Sequence, residues 1–231
     1  MKKNDYECDL KSCLLCHLCL KDWLPAIAAH KKNVLVKKGQ HIFNEGDPVT
    51  GIFFIYSGNV KVHKRWDEEK ELIIRFARAG EILGHTGLGN SGVYPVTATA
   101  LEPTIVCYIG MDFFESTLKV NNNLTYTLMH FFANELQGSE KRMRNLVHMP
   151  VKGRIAQSFI SLKDQFGINK DGFIDIELTR QDLSSFAGAS YETLFKVINE
   201  FTEEKLVEFS GKSIRILNES MLKKLTNETR L

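Results

Sequence analysis

The cysteines of this chain have a spacing that could support metal binding or redox chemistry. Four of the five cysteines, Cys8, Cys13, Cys16 and Cys19, fall close together near the start of the 231 residues. Thiolates at such close spacing are typical ligands of soft metals and are also redox-active. The start of the chain lacks the pattern of a secretory signal, and an odd cysteine count argues against a disulfide framework. We therefore predict metal or redox chemistry in a cytoplasmic protein.

A second group of polar residues predicts a DNA-reading element. Residues 179–182 (TRQD) have the form of a capping box, which should open a helix of about eight residues. Gly188 would end that helix in a tight turn, and Ser190 would cap a second helix reaching about Lys205. This order is typical of a helix-turn-helix. A hairpin turning at residues 210–212 would add a wing.

The start of the second helix is expected to face the bases. Glu192 can accept a hydrogen bond from the cytosine amino group, and Lys196 can donate to guanine O6 and N7. The same pair at i and i+4 could also be a solvated ion pair. Residues 151–231 carry as many acidic as basic side chains, so non-specific affinity should be modest. The predicted DNA-binding residues are Thr179, Arg180, Gln181, Ser190, Tyr191, Glu192, Thr193, Phe195, Lys196 and Lys212.

The elements that must position these residues follow from composition and pattern. The chain is 43% hydrophobic and 25% charged with a net charge of +2, as expected of a folded protein without a membrane partner. Seven short apolar runs between residues 34 and 109 are separated by glycine turns, which predicts an antiparallel sandwich or barrel. A strand is also predicted at residues 173–178, after a helix at residues 151–166.

One long helix is predicted at residues 121–148, ended by Pro150. At about 42 Å it exceeds what one small barrel covers, so we expect its apolar stripe to pack against a second copy. The alternative is packing on its own subunit. The predicted domains are residues 1–22, 23–120, 121–149 and 150–231. The predicted dimerisation residues are Leu128, Phe132, Leu136, Ser139, Met143 and Leu146.

Several motifs, in this order, resemble those of the CRP/FNR transcription regulators. They are residues 39–47 (GQHIFNEGD), 56–61 (YSGNVK), 80–84 (GEILG), 179–183 (TRQDL) and 191–193 (YET). The resemblance implies an α+β fold with an N-terminal jelly roll like a cyclic-nucleotide-binding domain, a long dimerisation helix and a C-terminal winged helix-turn-helix. It also implies a non-enzymatic homodimer that binds a palindromic operator on double-stranded DNA and contacts RNA polymerase. Residues 104–109 (TIVCYI), 123–124 (NL) and 135–138 (ELQG) look closer to the FNR branch than to the cyclic-AMP receptor.

The loop that meets cyclic nucleotides in such receptors is altered here. The glutamate expected after Gly84 is His85, and the expected arginine position falls at Tyr94 and Pro95. A buried phosphate would lack a counter-charge, so cyclic AMP is not expected. These four residues are predicted to line an effector pocket that takes another small ligand or is filled by side chains.

The resemblance to the FNR branch also implies an iron–sulfur cluster held by Cys13, Cys16, Cys19 and Cys107. The spacing here is more compact than in that branch, and Ser139 replaces an acidic residue that discourages dimerisation, so the dimer is expected to persist in all states. A zinc site on the same thiolates, with His17 or Cys8, stays an alternative.

Other interpretations of the cysteines and of the whole chain remain open. The thiols need not bind a metal, and Cys107 alone is typical of a core residue. A thiol oxidoreductase using Cys13 and Cys16 and a ligand-sensing module that regulates a partner protein are the alternative function classes.

Overall fold

The computed structural model describes residues 13–67 and 70–226, so Cys8 lies outside the described residues. The chain forms two compact units, one of Met1–Trp66 with Ile73–Glu135 and one of Asp67–Leu72 with Leu136–Leu231. In the described part of the chain, none of the helices has the length and apolar character needed to cross a membrane.

The first unit contains the antiparallel roll that the sequence predicts. Two four-stranded sheets have the orders β1-β8-β3-β6 and β2-β7-β4-β5. All seven predicted runs form strands, and a short β6 is added. The strands are β1 (Lys32–Val36), β2 (His41–Phe43), β3 (Gly51–Ser57), β4 (Val60–Arg65), β5 (Glu71–Ala77), β6 (Ile82–Leu83), β7 (Thr97–Ala100) and β8 (Thr104–Gly110).

Alternation along β3 divides the apolar residues of this unit between two cores. Phe53 and Ile55 belong to one cluster, together with Val106 of β8. Phe54 belongs to the other, together with Cys107. Successive side chains of a strand point to opposite faces, so both faces of this sheet are covered.

The second core is covered by helices from both ends of the roll. They are α1 (Leu14–Leu18), α2 (Leu24–His30) and α3 (Met111–Val120). The sequence pattern did not predict α3, because its ten residues are too few for a helical period to stand out. Asn121, with φ −112° and ψ 75°, separates α3 from the next helix.

The predicted long helix is α4 (Asn122–His148), which has 27 residues. Its side chains Leu124 and Leu128 are buried in the second core. Pro150 ends the helical run and directly precedes α5 (Val151–Phe166), as predicted.

The second unit contains α5 and the predicted helix-turn-helix with its wing. Its remaining elements are α6 (Arg180–Ala187), α7 (Tyr191–Glu203), β9 (Val207–Ser210), β10 (Ser213–Ile216) and α8 (Glu219–Leu225). The strands β9 and β10 pair antiparallel, which confirms the hairpin.

The strand predicted at residues 173–178 is wrong. Only Ile174 pairs there, in an isolated bridge with Ile168, and its N–H donates to the Ile214 carbonyl over 2.8 Å. Ile174 and Ile176 are buried, so their alternation reflects packing of an extended segment and not a ladder.

Candidate DNA-binding site and cysteine segment

Helix α6 begins at a complete capping box. The Thr179 hydroxyl accepts a hydrogen bond from the Asp182 N–H over 3.0 Å, and the Thr179 N–H donates to the Asp182 carboxylate over 3.3 Å. The carboxylate also lies at the positive end of the helix dipole. These contacts confirm the predicted cap and fix the first residue of α6 through groups only three positions apart.

The turn after α6 requires glycine. Gly188 has φ 62° and ψ 44°, the left-handed conformation that L side chains rarely adopt. A Cβ built on it would lie 2.6 Å from the Leu146 side chain. The predicted glycine turn is therefore confirmed, and the close contact with α4 gives it a second reason.

Arg154, which sequence reasoning missed, holds this turn. Its guanidinium donates to the carbonyls of Met149 over 2.9 Å, Ala187 over 3.1 Å and Gly188 over 2.8 Å. Burial lowers the pKa of Arg154 from its ordinary value. One cation thus satisfies carbonyls just after α4 and at the end of α6, where helix dipoles place partial negative charge.

Helix α7 presents an exposed face that begins at its cap. The Ser190 hydroxyl accepts from the Thr193 N–H over 3.2 Å, as predicted. Leu194, Val197, Ile198 and Phe201 are buried against the unit's core. The side chains left exposed on the first two turns are Tyr191, Glu192, Phe195 and Lys196.

The Glu192 carboxylate is an ionised acceptor at neutral pH. Hydrogen bonds from its own backbone N–H and from the Ser190 hydroxyl lower its pKa. Such a group accepts hydrogen bonds and donates none. It is therefore suited to a base that offers an amino group in the major groove.

The wing and both helix starts come together around Arg180. The guanidinium lies 3.9 Å from the centre of the Phe209 ring on β9. Burial lowers the Arg180 pKa, and a smaller electrostatic effect of Tyr191 opposes this. Lys212 is exposed in the wing turn beside Gly211, whose φ is 58°. Arg180 and Tyr191, two of the predicted DNA-binding residues, thus lie close to each other and to the wing strand β9.

The cysteine segment, residues 13–23, begins with a short helix that has a thiol at its start, in its middle and at its end. Cys13 is the N-cap of α1 and its sulfur accepts from the Cys16 N–H over 3.4 Å, while Cys19 is the C-cap. Cys107 lies on β8, opposite Phe54 on β3. All four cysteines are buried in the same apolar core.

The donor set fits a thiolate-bound metal centre in chemistry and in burial. Burial, with the nearby Cys13, raises the pKa of Cys19 to about 12, so a bound metal must displace a proton. Among residues 13–67 and 70–226, however, no three His, Cys, Asp or Glu side chains are grouped so that they could hold a metal ion. The fold brings the four cysteines into one core.

Long-range hydrogen bonds tie the cysteine segment to the junction between α3 and α4. The Leu20 N–H donates to Asn121 Oδ1 over 2.7 Å, and Trp23 Nε1 donates to Thr117 Oγ1 over 3.1 Å. The Asn121 amide also donates to the Thr117 carbonyl over 2.8 Å. A displacement of the segment would therefore reach the first turn of α4.

Tyr94 fills the place where the sequence predicts an effector pocket. Its ring stacks on Phe43 with 4.2 Å between centroids, and its hydroxyl donates to the Gly51 carbonyl over 2.8 Å. A Cβ on Gly84, whose φ is 80°, would lie 3.2 Å from this ring. Pro95 is half-buried. The predicted residues Gly84 and Tyr94 are in contact, and the aromatic ring occupies the interior.

His85, the remaining predicted pocket residue, joins a polar cluster that sequence reasoning missed. Its Nε2 lies 3.9 Å from a Glu135 carboxylate oxygen on α4, which is also 3.5 Å from Arg75 Nε. Its ring meets the edge of Phe131. Burial, and then the Arg75 charge, lower the His85 pKa to about 3, so the imidazole is neutral at pH 7.

The apolar stripe of α4 differs from the prediction by one residue. Leu128 is 3% exposed in the core of its own subunit, so it is not available to a partner and its assignment to dimerisation is wrong. The adjacent Met129 is 59% exposed. The corrected stripe has alternating steps of three and four residues: Met129, Phe132, Leu136, Ser139, Met143 and Leu146.

A β-roll, a long helix and a capped helix-turn-helix with a wing define the class of DNA-binding regulators. Residues 33–121 match the family of cyclic nucleotide-binding domains, and residues 153–225 match the Crp-like helix-turn-helix domain. The fold class and the helix-turn-helix predicted from the sequence are thereby confirmed.

Relatives in bacteria extend the match over most of the chain. The transcriptional activator protein FnrA of Stutzerimonas stutzeri is 30% identical over 219 residues, which cover 90% of this chain and 88% of that protein. The fumarate and nitrate reduction regulatory protein of Escherichia coli K12 is 28% identical over 232 residues, covering 95% and 91%. The chain belongs to the CRP/FNR family of transcription regulators.

Solved structures show the same fold. The structure of FixK2 from Bradyrhizobium japonicum has a TM-score of 0.75 at 20% identity and covers 84% of this chain and 96% of that one. A mutant of CooA from Carboxydothermus hydrogenoformans has a TM-score of 0.77 at 16% identity, covering 94% and 97%.

Proposed function

We propose that this regulator acts in the cytoplasm as a homodimer that binds a palindromic operator on double-stranded DNA and changes transcription in response to a redox signal. Residues 1–22 and 23–120 serve as the sensor, residues 121–149 as the dimerisation helix and residues 150–231 as the reader. The observation that carries the proposal is the exposed Glu192 and Lys196 face of a capped helix-turn-helix. RNA polymerase is the expected partner on DNA.

The dimer is supported by the apolar stripe on α4. Leu136 and Met143 are 61% and 64% exposed in the single chain, a large cost in water for a helix face. A second copy of the stripe would cover it. Leu136→Glu should therefore convert the dimer to monomer in analytical ultracentrifugation, whereas Glu140→Gln, a change at a neighbouring exposed position, should not.

DNA recognition is tested with duplexes selected from a randomised pool by the full-length protein. Glu192→Ala should relax base preference at one position of each half-site, because it removes one hydrogen-bond acceptor. Lys212→Ala should weaken all sequences about equally, because a wing lysine would meet phosphate. Equal loss of preference from both variants, measured by gel shift, would contradict these roles.

We propose Cys13, Cys16, Cys19 and Cys107 as ligands of an iron–sulfur cluster, which would supply chemistry sensitive to oxygen and nitric oxide. The shared burial of the four thiols supports this assignment, as does the relation to FNR-type regulators. Zinc on the same thiolates is the alternative. The protein itself supplies an apolar enclosure and the hydrogen bond from Leu20 to Asn121, at the junction between α3 and α4.

The cofactor proposal is tested by purification without air, followed by ultraviolet-visible spectroscopy and analysis of iron, sulfide and zinc. A brown protein with iron and sulfide that loses colour in Cys107→Ala supports the cluster. Zinc without sulfide supports the alternative. A colourless, metal-free dimer that still binds its operator would remove both and leave an effector other than cyclic AMP as the signal.

The two other function classes receive less support. The relatives of this chain are transcription regulators, and we propose that the chain is likewise not an enzyme. Neither a thiol oxidoreductase nor a sensing module for a partner protein would select a DNA sequence, so the same duplex selection separates both from the proposed function.

A further inference from the structure

The exposed face of α7 carries two aromatic side chains that are not buried in the core of this unit. Tyr191 is 46% exposed and Phe195 is 52% exposed, whereas Leu194 and Phe201 are fully buried. Phe195 lies on the second turn, one turn after Tyr191, and Lys196 follows it directly. Phe195 therefore leaves about half of a large apolar side chain in water on this face.

Phenylalanine cannot take part in the donor and acceptor code of the base edges. Its ring has neither a donor nor an acceptor, so hydrogen bonding cannot give it a preference among bases. In the major groove, the apolar group that a base edge presents is the C5-methyl of thymine. Covering that methyl with a ring removes apolar surface from water on both sides.

We propose that Phe195 selects thymine in each operator half-site through contact with the C5-methyl group. The inference rests on the proposed function, since it requires α7 to lie in the major groove. DNA is the occupant that the surroundings favour, because Phe195 continues a face that belongs to the Crp-like helix-turn-helix domain and is flanked by Lys196.

The position of this thymine follows from helix geometry. Glu192 and Phe195 are three residues apart, about 4.5 Å along the helix axis, and base pairs are spaced about 3.4 Å apart. The selected thymine should therefore lie within about two base pairs of the G·C pair that Glu192 and Lys196 are expected to contact. A half-site bound by this helix should therefore combine a G·C pair with a nearby thymine whose C5-methyl group contacts the Phe195 ring.

The experiment uses the full-length protein and the operator selected from a random pool. Each thymine is replaced singly by deoxyuridine, which lacks only the methyl group. We expect one thymine in each half-site at which deoxyuridine weakens binding about fourfold, the value of one buried methyl group. Phe195→Ala should bind the thymine and deoxyuridine duplexes equally, and Phe195→Leu should retain part of the discrimination.

The controls separate a failed inference from a failed function. Ile168→Ala removes an apolar side chain of similar exposure, 54%, in the same unit and should leave the discrimination unchanged. If wild-type protein tolerates deoxyuridine at every thymine, or if Phe195→Ala still discriminates, the methyl contact is wrong although sequence-specific binding stands. If the pool yields no selected sequence, the proposed function itself fails. Thermal melting confirms that each variant is folded.

Discussion

The DNA reader and the cysteine segment are held in place by interactions of opposite range. In the reader, the caps of α6 and α7 are hydrogen bonds between groups three positions apart in sequence. In the cysteine segment, the Leu20 and Trp23 hydrogen bonds join residues 101 and 94 positions apart. The starts of α6 and α7 are thus fixed by local caps, to which Arg154 adds long-range bonds at the end of α6. The cysteine segment has a local cap at Cys13, but its position against the rest of its unit depends on the long-range Leu20 and Trp23 bonds.

This difference suits the two tasks. A base-reading helix must present its side chains in one fixed geometry, and local caps provide that at small entropic cost. The sensing role proposed for the cysteine segment requires a change of position, and a few long-range contacts can be lost together. The comparison therefore predicts which substitutions disturb one unit and leave the other unchanged.

The largest effect is expected at Arg154, whose guanidinium joins the residue after α4 to the end of α6. Arg154→Met leaves three carbonyls without their charged donor and should reduce the free energy of unfolding of this unit by roughly 3 kcal/mol. Urea denaturation measures the loss, and operator affinity should fall with it. Arg154→Lys keeps the charge without the planar fork and should be intermediate. A Met variant as stable as wild type would contradict the role of Arg154.

Asn121 should give the next largest effect, in the opposite unit. Asn121→Ala removes the acceptor of the Leu20 N–H and a buried donor, at a cost of roughly 2 kcal/mol. Hydrogen exchange should accelerate in residues 13–31 and stay unchanged in residues 179–203. The exposed neighbour Asn122 provides the control, since Asn122→Ala should leave both segments as they are. Faster exchange confined to the reader would reverse the comparison.

The range of interactions also explains which features could be predicted from the sequence. The capping box, the Gly188 turn and Ser190 were predictable because each depends on residues within a few positions. Seven of the eight strands of the roll were predictable from their short apolar runs and the glycine turns between them. Arg154 gave no signal, because its acceptors are backbone carbonyls of distant residues that any sequence provides.

The sequence-based predictions were wrong where one local pattern is compatible with two tertiary arrangements. Leu128 fits an apolar helical period whether it faces a partner or its own core, and only the fold showed that it packs with the second core of the roll. The alternating Ile174 and Ile176 fit a strand, yet they pack as an extended segment. The polar cluster joins Arg75 and His85 to Glu135, which lies 50 or more positions later in the chain, so no local spacing could indicate it.

A smaller and strictly local effect is expected at the α7 cap. Ser190→Ala leaves the Thr193 N–H without its acceptor and should cost about 1 kcal/mol. Exchange should accelerate in the first turn of α7 while residues 13–31 keep their wild-type rates. Ser190→Thr retains a hydroxyl cap and should restore most of the loss. An effect of Ser190→Ala on the cysteine segment would show that the two regions are coupled more strongly than their contacts indicate.

The smallest expected effect is a loss of stability of the first unit in acid, which comes from His85. Because the folded-state pKa of about 3 lies below the ordinary value of 6.5, the unfolded chain takes up a proton first as the pH falls. The stabilisation is complete above the ordinary value and is lost progressively towards the lower one. From about pH 7.5 to about pH 6, the loss should be somewhat under 1 kcal/mol.

His85→Phe keeps a ring beside Phe131 and removes the titration, so the variant should lose this part of the acid dependence in urea denaturation at the two pH values. Arg75 and Glu135 face the imidazole with opposite charges. If the first unit of the wild-type protein is equally stable at both pH values, His85 is hydrated or relocated before it is protonated. In that case the contacts of His85 with α4 would be weak, like those of the cysteine segment. The difference in rigidity between the first unit and the reader would then be greater than the contacts indicate.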